Sequence, residues 1–216
     1  MNEDGTKSDT KQRILDTAES LFARQGVTGT SLRQIIGEAK VNLAAIHYHF
    51  QSKEALVEAL LLKRLTVVNK ARLDRLDEYE RDGNVPNVEQ VLQAFLEPTL
   101  LFLAAENGRY RLFPQFMGRV HSELADLLPK IFQKHFQTFL ERFRRAFGRA
   151  LPDLPAAELQ WRVFFCIGAM AYTLMHSQNL AVIAEGPSGD RANLEEASGR
   201  LIQFLAAGLR APLKQW

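Results

Sequence analysis

Apolar residues recur at helical spacing along nearly the whole chain, and short polar segments rich in turn formers separate the runs. Ile14, Leu15, Ala18, Leu21 and Phe22 mark one stripe of a first helix that Asp9 or Thr10 can cap and Gly26 ends. Leu32, Ile35, Ile36 and Ala39 predict a short second helix, with Ser31 at its N-cap and Gln34 placed to complete a capping box. Lys40-Val41-Asn42 interrupts it, and Asn42 can cap a third helix whose buried side carries Ile46 and Phe50. A long helix is expected from Ser52 to about Tyr79, with Leu56, Leu60, Leu65 and Val68 among its apolar positions. The segment Arg81 to Pro86 breaks it. Further helices are expected from Asn87 through Phe102, kinked or divided at Pro98, and from His121 to Arg149. Pro114 interrupts the segment between these two. The last helices run from Ala156 to Leu180 and from Leu194 to about Leu209. No strand pattern and no internal repeat is visible, so the fold class is all-α with about nine helices. The polar residues 1–8 are expected to be a disordered tail.

The second and third helices, joined by a three-residue turn, form a helix-turn-helix whose second member is shaped to enter a major groove. Its outward side presents Leu43, Ala44, Ala45, His47 and His49. The run VNLAAIHYHFQSKEALVEAL resembles the DNA-reading end of the TetR/AcrR family of bacterial one-component regulators. In that family an aromatic-rich tetrad closes the recognition helix and Ser-Lys-Glu opens a long fourth helix. Tyr48, His49, Phe50, Ser52, Lys53, Glu54 and Leu56 stand in the matching places, as do Phe22, Gly26 and Thr30 upstream. The sequence departs at His47, where the family usually carries Tyr, and at Ala44, where Gly is common. These departures bear on the operator sequence; the helix itself tolerates both, since Ala forms helix better than Gly. The stretch WRVFFCIGAMAYTLMHSQNLAVIAEG further resembles a proteobacterial subgroup of the same family.

Charge adds little. The 216-residue chain carries a net charge of +2, and residues 1–60 hold seven Lys or Arg against eight Asp or Glu. DNA binding then requires that cations be segregated on one face. A single cysteine, Cys166, excludes an intrachain disulfide and fits a reducing compartment. No apolar run is long enough for a membrane span, and the polar N-terminus lacks a secretory signal, so a cytoplasmic protein is expected. His47 and His49 are two apart rather than three or four, so no metal site is expected, and no cofactor. Without a phosphate loop, or a nucleophile with an evident base, a helical enzyme is only a distant alternative.

Three sets of site residues follow. For DNA they are Arg33, Asn42, Leu43, Ala44, Ala45, His47, Tyr48, His49 and Lys53. Arg33 can pair bidentately with guanine, or form a surface salt bridge to Glu38. The small apolar residues can pack on thymine methyls, and family correspondence makes His47, His49 and Lys53 phosphate contacts. Tyr48 can contact DNA or be partly buried. The resemblance also implies an effector cavity in the C-terminal part, assigned to Phe102, Phe113, Phe116, Met117, Trp161 and Phe165. Its ligand would be apolar or amphipathic, possible anchors for a polar end being Arg109, His121, Tyr172 or His176. The resemblance finally implies a homodimer through the last two helices, with Phe164, Gly168, Tyr172, Leu201 and Phe204 at the interface. The expected domains are 1–51 for DNA binding and 52–216 for effector binding and dimerisation. The reading is a repressor released from a palindromic operator by its ligand, with an activator or dual regulator of the same fold as the alternative. The expected partners are double-stranded operator DNA, a small-molecule effector and a second copy of the chain, with no membrane.

Overall fold

Ten α-helices and one 3-10 turn follow one another in the computed structural model, which describes residues 3–104, 112–176 and 194–213. They are α1 (Glu3–Gln25), α2 (Leu32–Ala39), α3 (Leu43–His49), α4 (Lys53–Tyr79) and, past the turn at Arg81–Gly83, α5 (Val88–Ala104). Next come α6 (Phe113–Glu123), α7 (Leu127–His135), α8 (Gln137–Ala150), α9 (Ala156–Met175) and α10 (Leu194–Arg210). No strand occurs among the described residues.

Several boundaries differ from the sequence expectation. Helix α1 begins at Glu3 rather than at Asp9 or Thr10, so the tail expected over residues 1–8 is helical from residue 3. Extending a helix already nucleated downstream needs only one backbone bond per residue fixed. The single helix expected from His121 to Arg149 is instead parts of α6, α7 and α8. Pro129 explains the first break: it has no N–H to give to the carbonyl of Ala125, and it sits in the first turn of α7, where that donor is not needed. Pro114 likewise stands in the first turn of α6 rather than interrupting a segment. Pro98 lies inside α5, which continues past it as one helix, flanked by buried Ala94, Phe95, Leu96 and Thr99.

The chain forms two compact units, Met1–Val67 with Asn107–His135, and Val68–Glu106 with Phe136–Trp216. In the first, α1 packs on α2, α3 and α6. Its stripe of Ile14, Leu15, Ala18, Leu21 and Phe22 is buried, together with Ile35, Ile46 and Phe50. Ile36, expected in the same core, is half-buried. Phe116 of α6 completes that core, its ring stacked 6.1 Å from Phe22. The buried Glu19 and Arg64 form an ion pair, with Arg64 Nε donating to Glu19 Oε1 at 3.0 Å.

In the second unit α5 packs on α8 and α10, and α9 on α8 and α10. Phe95, Phe139 and Phe143 form an aromatic cluster with centroids 5.0–6.1 Å apart. Asn87 and Gln90 make a reciprocal capping box at the start of α5, both bonds being 2.9 Å. The cations along α8 are structural: Arg142 and Arg149 reach Glu80, and Arg142 also reaches Asp77. Arg162 donates to the carbonyls of Gly208, Leu209 and Ala211, satisfying the C-terminal end of α10. Burial pushes the thiol of Cys166 up to about 11, which makes it an inert core side chain.

Candidate nucleic-acid interface

The helix-turn-helix is held by local chemistry. Ser31 Oγ accepts from Gln34 N–H at 3.2 Å, and Asn42 Oδ1 accepts from Ala45 N–H at 2.7 Å. The box expected at Ser31 is only half formed, because Gln34 Nε2 donates to Gln25 Oε1 at 3.0 Å instead of its side chain reaching back. Lys40 takes a left-handed conformation at φ 52°, which turns the chain between α2 and α3. Gly26, at φ 82°, makes the bend that ends α1, and a Cβ there would lie 2.2 Å from Glu123 Oε1. Glycine is favoured at this position by the positive φ, and a side chain there would also have to displace the Glu123 carboxylate.

Glu123, at the end of α6, ties down the loop before the motif. Its Oε2 accepts from the backbone N–H of Thr28 at 2.7 Å and from the Thr28 hydroxyl. Burial pushes this carboxyl up, but the bonds from Thr28 and the nearby charge of Arg119 more than offset that and hold it below its ordinary value. The Thr30 hydroxyl, also buried, donates to Gly26 O at 2.7 Å.

On α3 the outward side chains are those a groove would meet. Leu43, Ala44, His47 and Tyr48 are exposed, and Ala45 and His49 are half-buried. Tyr48 is 72% exposed, which decides between its two readings: it is not part of the core. Its ring meets that of His49 edge-on at 4.9 Å. Arg33 on α2 is exposed and makes no ion pair among the described residues; Glu38 approaches Arg24 instead, at 3.9 Å. Asn42 spends its carbonyl oxygen on the cap, and its side chain is otherwise exposed. Lys53 is more constrained than a free phosphate donor, because its ammonium donates to Thr30 O at 3.1 Å.

The charge balance of the first sixty residues resolves at this level. Several carboxylates are occupied away from the motif: Glu19 by Arg64, Asp16 by Lys63, and Glu58 by Lys134 and His135. From Ala39 to Lys53 there is no acidic residue. Within that stretch Lys40 and Lys53 are the charged residues, and the exposed Glu38 and Glu54 lie immediately outside it.

The other two residue sets fall out differently. Phe113 and Phe116 are core residues of the first unit, and Met117 is half-buried there. Phe102, in the second unit, is half-buried. Trp161 and Phe165, also in the second unit and expected to line a cavity, are 60% and 61% exposed. They share one stripe of α9 with Phe164, Gly168 and Tyr172, all exposed, and the stripe is aromatic from Trp161 to Tyr172. Phe204 on α10 is 72% exposed, and Leu201 is half-buried. A Cβ at Gly168 or Gly208 would meet nothing within 4 Å among the described residues. Of the residues proposed to hold a polar ligand end, Arg109 lies outside the described residues. His121 and Tyr172 are exposed and His176 is half-buried. Sequence reading did not single out Arg72, a buried cation of the second unit.

Comparison with known proteins gives a consistent picture. Residues 14–60 match the family model described as bacterial regulatory proteins, tetR family, and residues 93–208 match that of the tetracyclin repressor-like C-terminal domain. The chain is 48% identical over 48 residues to the transcriptional regulator AcrR of Shigella flexneri, covering 22% of each chain. It is 28% identical over 95 residues to the transcriptional repressor NemR of Escherichia coli, covering 43% of this chain and 48% of NemR. These matches span less than half the length of the curated relatives. The crystal structure of the regulator FadR from Bacillus subtilis in complex with stearoyl-CoA is similar with a TM-score of 0.61 at 14% identity, over 91% of this chain and 98% of that one. That likeness is one of fold.

Proposed function

Because the chain belongs to the TetR family of bacterial regulatory proteins, we propose that it is a homodimeric transcriptional repressor released from its operator by a small-molecule effector. The observation that carries this reading is the outward face of α3, where Leu43, Ala44, His47 and Tyr48 are exposed beside unpaired Arg33. Arg33 reads a guanine edge, Leu43 and Ala44 pack on thymine methyls, and Asn42, Ala45, His47, Tyr48, His49 and Lys53 line the approach to the phosphates. Lys53 does this while holding the Thr30 carbonyl, since an ammonium has three donors.

Residues 1–51 serve DNA binding and residues 52–216 serve effector binding and dimerisation. The exposed stripe of α9 with Phe204 of α10 forms the dimer surface, and Gly168 lets the partner helix come close. Tyr172 and Leu201 flank this surface, and Trp161 and Phe165 extend it. The effector is apolar or amphipathic, and a regulator of the same fold forms a complex with stearoyl-CoA. Effector binding favours a DNA-free conformation, and linkage then requires tighter effector binding to that form. The place of action is the cytoplasm. No helix among the described residues is long and apolar enough to cross a membrane.

Footprinting on the DNA upstream of the coding region tests the proposal. The expected result is a protected palindrome with half-sites about one helical turn apart, overlapping the promoter. A single asymmetric half-site would contradict the dimer, and protection upstream of the promoter elements would indicate activation.

A further inference from the structure

Three arginines are buried among the described residues, and two of them have evident structural tasks. Arg64 pairs with Glu19, and Arg162 pairs with Glu158 and closes the end of α10. Arg72, in the second unit, has neither kind of partner. Its guanidinium donates from Nη1 to Asn69 Oδ1 at 3.0 Å and from Nη2 to Thr99 Oγ1 at 2.6 Å, with Met170 Sδ at 3.6 Å. All three are neutral. No carboxylate among the described residues pairs with it. Carboxylates of its unit are paired with other cations: Asp77 and Glu80 with the arginines of α8, Glu78 and Glu97 with Arg75, Asp74 with Lys70, Glu89 with Arg210, and Glu158 with Arg162.

The donors at this place are also incompletely used. Arg72 Nε and Asn69 Nδ2 are both buried and bond to nothing. Asn69 has turned its carbonyl oxygen to Arg72, which leaves its amide N–H groups facing no acceptor. Its other neighbours are aromatic: the Phe95 ring centroid lies 4.4 Å from the guanidinium carbon and the Phe139 ring centroid 5.6 Å. Desolvation pushes Arg72 down to about 9, so it still carries its proton at neutral pH. A buried cation with spare N–H donors and aromatic walls is complementary to an anion whose remainder is apolar.

We propose that Arg72, with Asn69 and Thr99, anchors the effector, and that the effector is a carboxylic acid on an apolar body. The planar guanidinium fork matches the two oxygens of a carboxylate, with Nε supplying one of the donors. Asn69 Nδ2 supplies a further bond, and Phe95, Phe139 and Met170 receive the apolar part. This assignment rests on the reading that the C-terminal part binds a small-molecule effector. It replaces the polar anchors expected from sequence with a residue that the charged run KARLDRLDEY conceals.

The test uses the full chain and matched probe pairs: octanoate, dodecanoate, phenylacetate and indole-3-acetate, each against its own neutral amide. Binding is read by calorimetry, and release of operator DNA by anisotropy. The expected result is that at least one acid binds and its amide is weaker by on the order of 100-fold. In Arg72→Met the acid should fall to the level of its amide while operator binding persists, with Arg72→Lys in between. Asn69→Leu, a milder change, should weaken the acid about tenfold, the scale of one lost charged hydrogen bond. It carries the test if Arg72→Met does not fold. Equal binding of acids and amides, or undiminished acid binding by Arg72→Met, would overturn the assignment and leave the effector reading standing. Binding of amides alone would do the same. Binding of neither class, with no operator release by any probe, would count against both.

Discussion

The two compact units differ in how completely their buried polar groups are satisfied. In the unit that carries the helix-turn-helix, Glu19 and Arg64 neutralise each other and Thr30 is satisfied by Gly26 O. In the other, Arg72 is buried without a counter-ion. The buried side-chain atoms without a hydrogen bond among the described residues are Asn69 Nδ2, Arg72 Nε and Ser198 Oγ, all in that second unit. The contrast separates two uses of a buried charge. A completed pair fixes one arrangement of helices and leaves nothing for a ligand. An incomplete one costs stability and keeps binding capacity in reserve.

That comparison can be broken most forcefully at Arg64. Arg64→Met strands Glu19 in the core, so thermal unfolding should show a loss of about 3–5 kcal/mol. Glu19→Gln with Arg64→Met should recover most of it. Gly26→Ala should be next, at about 1–2 kcal/mol, because its φ of 82° opposes a side chain and the Glu123 carboxylate must move aside. Operator affinity should fall with it, since the loop it strains precedes the motif. Arg72→Met sharpens the contrast. Its stability should fall far less than that of Arg64→Met, because removing a buried ion that has no counter-ion offsets the loss of its hydrogen bonds to Asn69 and Thr99. A loss as large as that of Arg64→Met would mean that Arg72 is scaffold.

The smallest effect concerns Glu123 and pH. Its carboxyl is held below the ordinary value, so its contribution is present above that ordinary value and lost as pH falls through the lowered one. Acid titration of stability should therefore be shallower in Glu123→Gln below about pH 4.5. The difference should stay within about 1 kcal/mol, since the group is partly solvated. Identical acid limbs would show that Glu123 does not secure the loop.

What could be read from sequence was local. Ser31 and Asn42 cap where spacing placed them, and the apolar stripe of α1 is buried as its periodicity required. The exposure of the α3 face followed from the same logic. What escaped was tertiary. Trp161 and Phe165 look like pocket residues by size, although their spacing with Phe164, Gly168 and Tyr172 already described a single stripe. Phe113 and Phe116 read as cavity lining because nothing local reveals that α6 packs on α1. Arg72 lies among Lys70, Asp74 and Arg75, a pattern indistinguishable from a solvated helix face. Pro129 was a legible stop that the strength of the surrounding apolar periodicity masked.

The central claim is sequence-specific reading of DNA by α2 and α3. It is tested most directly by fluorescence anisotropy of the full chain on the upstream palindrome and on a scrambled duplex, across a salt series, for wild type, Arg33→Ala and Tyr48→Ala. The account predicts preference for the palindrome in wild type, loss of on the order of 1–3 kcal/mol of discrimination in Arg33→Ala, and a similar weakening on both duplexes with retained discrimination in Tyr48→Ala, whose neutral hydroxyl leaves the salt slope unchanged. Equal affinity of wild type for both duplexes, or two variants that behave as wild type, would contradict it.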